Sequence, residues 1–410
     1  KKYRTITQIG SFPWHDHATA LRLEKLAIIK ILSSTTSYDT LAALHAEQLM
    51  QDDFYSKNSN HGFDQARALL LASEAFSGDQ EAAQWRKIGL KRLKDEIEFA
   101  FNSEGIHVEN SPEYHAGMVF NLLRVRALLA YTKAKLEFDF DWLLSQSLYF
   151  LAWMIGPDRR LALLGDSTRK NAIPSDDLKD LPTFKNAIYA ASAGRQGHPI
   201  KRKWVLYDDA GYAVYRSSWD DDTWLDHTYI VMKSGFLAKY HRQDDDLNIL
   251  LHAHGEAWLI DSGLYNHQQT DPKRIYMRSA MAHNVPYLTN IQPTRVPPTG
   301  EKATKLGYIE HLNCDAAFSA ETHIWPKVRL RRDLIIENSD NFQIIDRINK
   351  IPEGSELYIQ FHVPGHMRVT TSPHSTRIKG RKKQLIIRVA NGTSEDCNVY
   401  SGMDGKFKSM

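Results

Sequence analysis

The sequence predicts a two-part α+β chain: an N-terminal α/α toroid, an incomplete barrel of paired helices, followed by a C-terminal antiparallel β-sandwich. Three observations carry this. Up to about residue 195 apolar residues recur at helical spacing. From Trp204 onward short β-branched and aromatic runs alternate with turn residues. Between them, 194–203 (GRQGHPIKRK) is polar and basic and carries Gly and Pro. A length of 410 residues exceeds what one core usually serves. The expected domains are therefore 1–198 and 199–410.

In the first part, 18–32 (ATALRLEKLAIIKIL) sets Leu21, Leu23, Leu26, Ile28, Ile29 and Leu32 close to helical spacing. Further helices are expected over 38–50, 62–76, 80–101, 115–135 and 141–154, joined by short polar or Gly-containing links as in antiparallel hairpins. No fixed-period repeat is present, which excludes a strict solenoid and suits serial helix pairs. In the second part the strand-like runs are WVLYDDAGYAVYRS, HTYIVMKS, AWLIDSG, KVRLRRDLIIEN, NFQIIDRINK, ELYIQFHV and QLIIRVA, at sandwich-like spacing. The basic run 377–388 (RIKGRKKQLIIR) reads as a solvated hairpin.

Composition excludes several classes. With 42% hydrophobic and 25% charged residues the chain reads as globular, and no run approaches the ~18–20 apolar residues of a membrane span. A net charge of +3 and a pI near 8.6 suit an anionic polysaccharide. No basic helix with interleaved aromatics points to nucleic acid. Cys314 and Cys397 both lie in the strand-rich half, and their separation in sequence does not decide whether they pair. The chain opens at Lys1-Lys2, as removal of an upstream signal peptide would leave it. The sequence does not speak to oligomeric state.

Three separated segments concentrate chemistry. Asn60-His61-Gly62 opens an expected helix, where Asn is either a cap or, with His61, a pair of donors for a carboxylate. In 109–115 (ENSPEYH), Ser111 is a candidate cap and Pro112 a first helical residue, which leaves the Tyr114-His115 pair without a structural reason. Tyr114 can act as a base only where neighbours favour its phenolate. His241 precedes Arg242, Gln243 and three acidic residues, and a site drawing on both halves is expected in the cleft between them. Gln243, Asp261 and His283 could converge on a metal, although Gln is a poor ligand beside His. The run His15-Asp16-His17 stands before the first helix, and Arg22, one turn in, suits a carboxylate or sulfate.

Taken in order, WHDHATALR, NHG, ENSPEYH, LLGDS, the His241 segment, LIDSGLY and RSAMAHN make the chain resemble the heparinase II/III-like polysaccharide lyases. The resemblance covers nearly the whole chain and implies the same toroid-plus-sandwich fold. It implies that Asn60 and His61 neutralise a uronate carboxylate, that Tyr114 is the catalytic tyrosine and that His241 is the catalytic histidine. His15, Asp16, Arg22, His115, Tyr265, Tyr276 and Arg278 are the expected substrate contacts. Tyr265 and Tyr276 are both candidates for a second tyrosine. No cofactor is needed for the chemistry. The family's structural divalent metal (zinc, calcium or manganese) would fall to Gln243, Asp261 and His283, where Gln243 departs from the family's histidine. The resemblance further implies a bacterial, periplasmic or secreted protein.

The expected reaction is β-elimination on a uronate polymer: loss of the C5 proton and expulsion of the C4 oxygen. A uronate C5-epimerase would need the same groups. A non-catalytic polysaccharide-binding protein would not need Tyr114, His61 and His241 together. A glycoside hydrolase would need paired carboxylates; Asp16, Glu113 and Asp166 are available, but no pairing is evident.

Overall fold

A computed structural model describes residues 14–389, apart from 173, 221, 239, 295–303 and 312. Cys397 lies outside the described residues. By packing, the chain forms two compact units: one of residues 1–102 and 120–143, the other of 103–119 and 144–410. The change from helix to strand falls between residues 191 and 204, at the compositional seam, whereas the packing division falls after 102, 119 and 143.

The first unit holds α1 (Asp16–Ser33), α2 (Asp39–Met50), α3 (Asn60–Ala75) and α4 (Ala82–Ala100). Its core is alanine-rich: Ala20, Leu23 and Ala27 of α1 meet Ala42, Ala46 and Leu49 of α2 and Ala68, Leu69 and Ala72 of α3, with Trp85 of α4 closing the cluster. Small residues at i, i+3 and i+4 let helix axes approach closely. Ser59, not Asn60, caps α3 by accepting from the Gly62 N–H.

The second unit begins at 103, takes α5 (Pro112–Tyr131) as far as 119 and α6 (Phe140–Met154) from 144, and includes α7 (Phe184–Ala191). Ser111 caps α5, its Oγ accepting from the Tyr114 N–H at 3.4 Å. Strands β1 (Trp204–Tyr207), β2 (Tyr212–Arg216), β3 (Tyr229–Lys233), β4 (Asn248–Ala253) and β5 (Glu256–Leu259) form an antiparallel meander. The helix α8 (Pro272–Met277) and β6 (Pro286–Leu288) follow. A second antiparallel sheet, in the order β10-β9-β8-β7, is made by β7 (Thr304–Tyr308), β8 (Ala316–Thr322), β9 (Leu330–Ile336) and β10 (Phe342–Ile348). One apolar cluster joins the two sheets: Tyr215, Ile230, Met232 and Ile249 on one side, Phe318, Leu334 and Ile336 on the other. That is sandwich packing.

β2 and β3 are buried at every position, because the face turned from the sandwich core also has partners: Tyr212 meets Phe150, and the Tyr229 hydroxyl donates to the Trp153 carbonyl. β11 (Leu357–Ile359) pairs with β6, and β12 (Arg368–Ser372), β13 (Ser375–Lys379) and β14 (Gln384–Arg388) form a small sheet. The basic run is thus the hairpin its composition predicts.

Gly165, just before Asp166, sits at φ +55°, and a Cβ there would overlap the Asn110 carbonyl oxygen. Gly165→Ala is therefore expected to destabilise the second unit by about 1–3 kcal/mol through left-handed strain and the clash. Denaturant titration checks this; wild-type stability in the variant would contradict it.

Candidate active site

The second unit brings Tyr114 and His241 together. Tyr114 stands in the first turn of α5, and His241 lies between β3 and β4; their rings stack with centroids 3.9 Å apart and 26° between planes. Asn110 fixes the approach. Its amide donates to the carbonyls of Ala238 (2.7 Å) and Tyr240 (3.0 Å) and its oxygen accepts from the Leu237 N–H at 3.1 Å. His241 itself takes φ +53°, a region that side chains enter at a cost.

Beneath the pair lies Asp166, only 1% exposed. Its Oδ2 accepts from His241 Nδ1 at 2.9 Å and from Arg274 of α8 at 2.5 Å, and its Oδ1 accepts from Gln243 Nε2 at 2.7 Å. Burial pushes this carboxyl up, but hydrogen bonds from His241, Arg274 and Gln243 and the Arg274 charge bring it down to about 2. Glu109 Oε2 lies 3.5 Å from His241 Nε2. The Tyr114 phenol goes the other way, up to about 12, through burial and the nearby charges of Asp166, Glu109 and Glu113, with Arg274 opposing. The free protein therefore holds Tyr114 as a neutral phenol, not the phenolate that a tyrosine base requires.

Other expected contacts distribute differently. His115 is 1% exposed; its Nε2 is bonded to the Ser147 carbonyl and its Nδ1 to the His107 N–H, and burial takes its pKa down to about 3. It is a core histidine and not a substrate contact. Arg278 holds the Arg242 carbonyl and the Gln269 side chain. Tyr276 donates to the Met281 carbonyl at 3.2 Å, and Tyr265 is exposed, with the Lys273 ammonium 5.4 Å from its ring centroid.

In the first unit, Asn60 is exposed in the first turn of α3 and His61 follows it. Asp16 accepts from His61 Nδ1 at 2.9 Å and pairs with His15 at 2.8 Å. His17 stacks on His61 with centroids 4.3 Å apart. Burial raises the Asp16 carboxyl, and hydrogen bonds from Ser56, His61 and the His17 backbone outweigh it, to about 2. Glu96 shapes the loop before α3 by accepting from the Asn58 and Ser59 N–H groups. Arg22 is turned to His45, its Nε 3.0 Å from Nε2.

The expected metal ligands do not fit one ion. His283 Nδ1 and Asp261 Oδ2 are 2.7 Å apart, a hydrogen-bond distance, whereas two ligands on a tetrahedral zinc stand about 3.3 Å apart. The same carboxylate also accepts from Asn248 and the Gly263 N–H. Gln243 turns its amide nitrogen to Asp166. Gln243 Oε1 and His283 Nε2 are buried without a hydrogen-bond partner among the described residues. Among the described residues one His/Cys/Asp/Glu group is close enough to share an ion, Asp166 with His241 and His267, but the Arg274 guanidinium already occupies that carboxylate.

Comparison with known proteins gives this geometry a setting. The family model for the heparinase II/III N-terminus matches residues 31–184, and that for the heparinase II/III-like C-terminal region matches 199–404. The chain belongs to the heparinase II/III-like family. It is 24% identical over 322 residues to a heparin-sulfate lyase of Bacteroides stercoris, covering 76% of this chain and 46% of that one. It is 26% identical over 399 residues to a heparin-sulfate lyase of Bacteroides thetaiotaomicron, covering 87% and 55%. Among solved structures it is similar to heparan sulfate lyase HepC from Pedobacter heparinus, with TM-score 0.74, 20% identity and 92% and 61% coverage. The chain spans about half the length of the lyases whose sequences it matches. The structural likeness shows that this heparinase II/III-like chain has the fold class the sequence predicts, an α/α toroid followed by an antiparallel β-sandwich. No helix among the described residues is long and apolar enough to cross a membrane.

From the sequence Asp166 stood out only as a carboxylate open to a hydrolase, and Asn110 and Arg274 carried no role. The left-handed Asn and the Gly-Asp of LLGDS were the available signals.

Two measurements check this description. Phenolate absorbance attributable to Tyr114, read as wild type minus Tyr114→Phe, is expected only as pH nears about 12; its appearance below the ordinary tyrosine value near 10 would contradict the electrostatics. Dialysis against a chelator is expected to leave the melting temperature unchanged, with no stoichiometric metal by elemental analysis; one tightly bound divalent ion per chain would contradict the ligand geometry.

Proposed function

We propose that this protein is a polysaccharide lyase that cleaves a uronate-containing glycosaminoglycan, of the heparan sulfate class, by β-elimination. The observation that carries the reading is the Tyr114–His241 stack over Asp166: a neutral phenol against an imidazole is a proton-transfer set, for which binding alone has no use. The named activity of the related lyases and family membership support it.

His241 Nε2 takes the C5 proton, the C5–H electron pair forms the C4–C5 double bond, and the C4–O bond breaks. The departing oxygen takes the Tyr114 hydroxyl proton. The imidazolium and phenolate left behind are restored when one proton passes between them. Proton donation of this kind contributes about 10²–10⁴-fold. The difficulty of the step is the second negative charge that builds beside the carboxylate. Asn60 and His61 are the proposed donors to that carboxylate; preorganised donors of this type contribute about 3–4 kcal/mol each. A base and an acid stacked together reach C5–H and the C4 oxygen from one face, which suits glucuronate; iduronate presents C5–H on the opposite face.

Absorbance of the unsaturated uronate is expected to rise with heparan sulfate. Tyr114→Phe is expected to lose about 10²–10⁴ in kcat, and Asn60→Ala about 10²–10³, both with the fold intact. Defined oligosaccharides are expected to be cut at the C4–O bond of glucuronate in preference to that of iduronate. A flat trace on every uronate polymer, or full activity in Tyr114→Phe, would contradict the proposal. Solvent deuterium at C5 without cleavage would mark an epimerase instead.

A further inference from the structure

We propose that Asp166 is the positioning residue of this site: it accepts the Nδ1 hydrogen of His241 and so leaves Nε2 as the nitrogen that receives the C5 proton, while Gln243 and Arg274 hold Asp166 for that task. The identity of the proton rests on the lyase reading above; the tautomer rests on hydrogen-bond geometry alone.

The geometry leaves one arrangement of hydrogens. Arg274 offers only donors and is permanently charged, and it lies on Asp166 Oδ2, both side chains 1% exposed. An ionised carboxylate has no hydrogen to give. His241 Nδ1, 2.9 Å from the same oxygen, must therefore be the donor, and a neutral imidazole with its hydrogen on Nδ1 carries its lone pair on Nε2. Around Nε2 stand Glu109 Oε2 at 3.5 Å, the stacked Tyr114 ring and the edge of His267, centroid 6.2 Å away.

Gln243 completes the clamp. His241 and Gln243, two positions apart in the turn, reach the same carboxylate at its two oxygens. A glutamine at this place thus ties the turn to the 163–167 segment (LLGDS), where the resemblance alone implies a metal ligand. Asp166 in turn is seated by its neighbours: Ser167 Oγ bonds Ser111 Oγ at 2.8 Å, and the Ser167 carbonyl accepts from the Leu264 N–H at 2.8 Å. Asp166 thus holds the 241–243 turn and α8, and Ser167 beside it holds Ser111, just before the helix of Tyr114.

The test uses the full chain with nitrogen-15 in its histidines. Long-range proton–nitrogen correlation above pH about 8, where free imidazoles are neutral, reads the tautomer of each ring. His241 is assigned by the signal lost in His241→Asn, asparagine being tolerated at the left-handed φ of +53°. The expected wild-type signal is the Nδ1-protonated form. In Asp166→Ala, which removes the acceptor from Nδ1, the signal is expected to lose its purely Nδ1-protonated character and move toward the Nε2-protonated form. A wild-type His241 protonated on Nε2 overturns the proposal. This spectrum needs no substrate and no folded variant at Asp166, so it decides the matter even where no polymer is cleaved, and failure of the lyase reading appears separately as a flat absorbance trace. With heparan sulfate as substrate, Asp166→Ala is expected to lower kcat by about 10³–10⁴-fold, the size of a wrong-tautomer loss, with KM within about threefold. An unchanged kcat in a variant that melts like wild type overturns the proposal.

Discussion

A carboxylate removed from water costs several kcal/mol unless it is paired and hydrogen-bonded. Asp166 meets both conditions through three donors from two places: His241 and Gln243 in the turn before β4, and Arg274 in α8. The energetics of that burial explain the local architecture. Each donor that satisfies Asp166 also fixes a segment, so the turn carrying His241, the short helix carrying Arg274 and the 163–167 segment are held in one arrangement. Asn110 does the same for the backbone on the N-terminal side of His241, with three hydrogen bonds to 237–240. A non-glycine residue at positive φ, as His241 is, persists where its surroundings over-determine it.

The first unit repeats the device in a more open setting. Asp16 holds His61 through Nδ1 and is itself held by Ser56, as Asp166 is held by Arg274 and Gln243. The two carboxylates differ in burial and partners: Asp16 is partly exposed and, among the described residues, has no arginine on it. An imidazole fixed on one nitrogen presents the other for use, and His61 and His241 are both fixed on Nδ1.

Much of the architecture was legible because it rests on periodicity. The expected helices at 18–32, 38–50, 62–76, 80–101 and 141–154 are seen at Asp16–Ser33, Asp39–Met50, Asn60–Ala75, Ala82–Ala100 and Phe140–Met154. Strands were less legible where composition works against them. AAFSAET of β8 carries three alanines and reads poorly as a strand, yet it pairs on both edges, with β7 and β9. The run WVLYDDAGYAVYRS divides into β1 and β2 around a turn. Motif order brought Tyr114 and His241 into view, but not what supports them. Asp166 meets His241 across 75 positions and Arg274 across 108, in segments without a repeating pattern, so no local rule could join them. His115 misled for the complementary reason: its place beside Tyr114 marks it for chemistry, while helical geometry turns it inward to Ser147.

The central claim is that Tyr114 and His241 act as one proton-transfer pair. A double-mutant cycle in kcat/KM on heparan sulfate, with Tyr114→Phe, His241→Asn and the two combined, tests it most directly. Groups that serve one step are strongly non-additive, so the double variant is predicted to be no slower than the worse single variant. Losses that multiply would show two independent contributions and contradict the account.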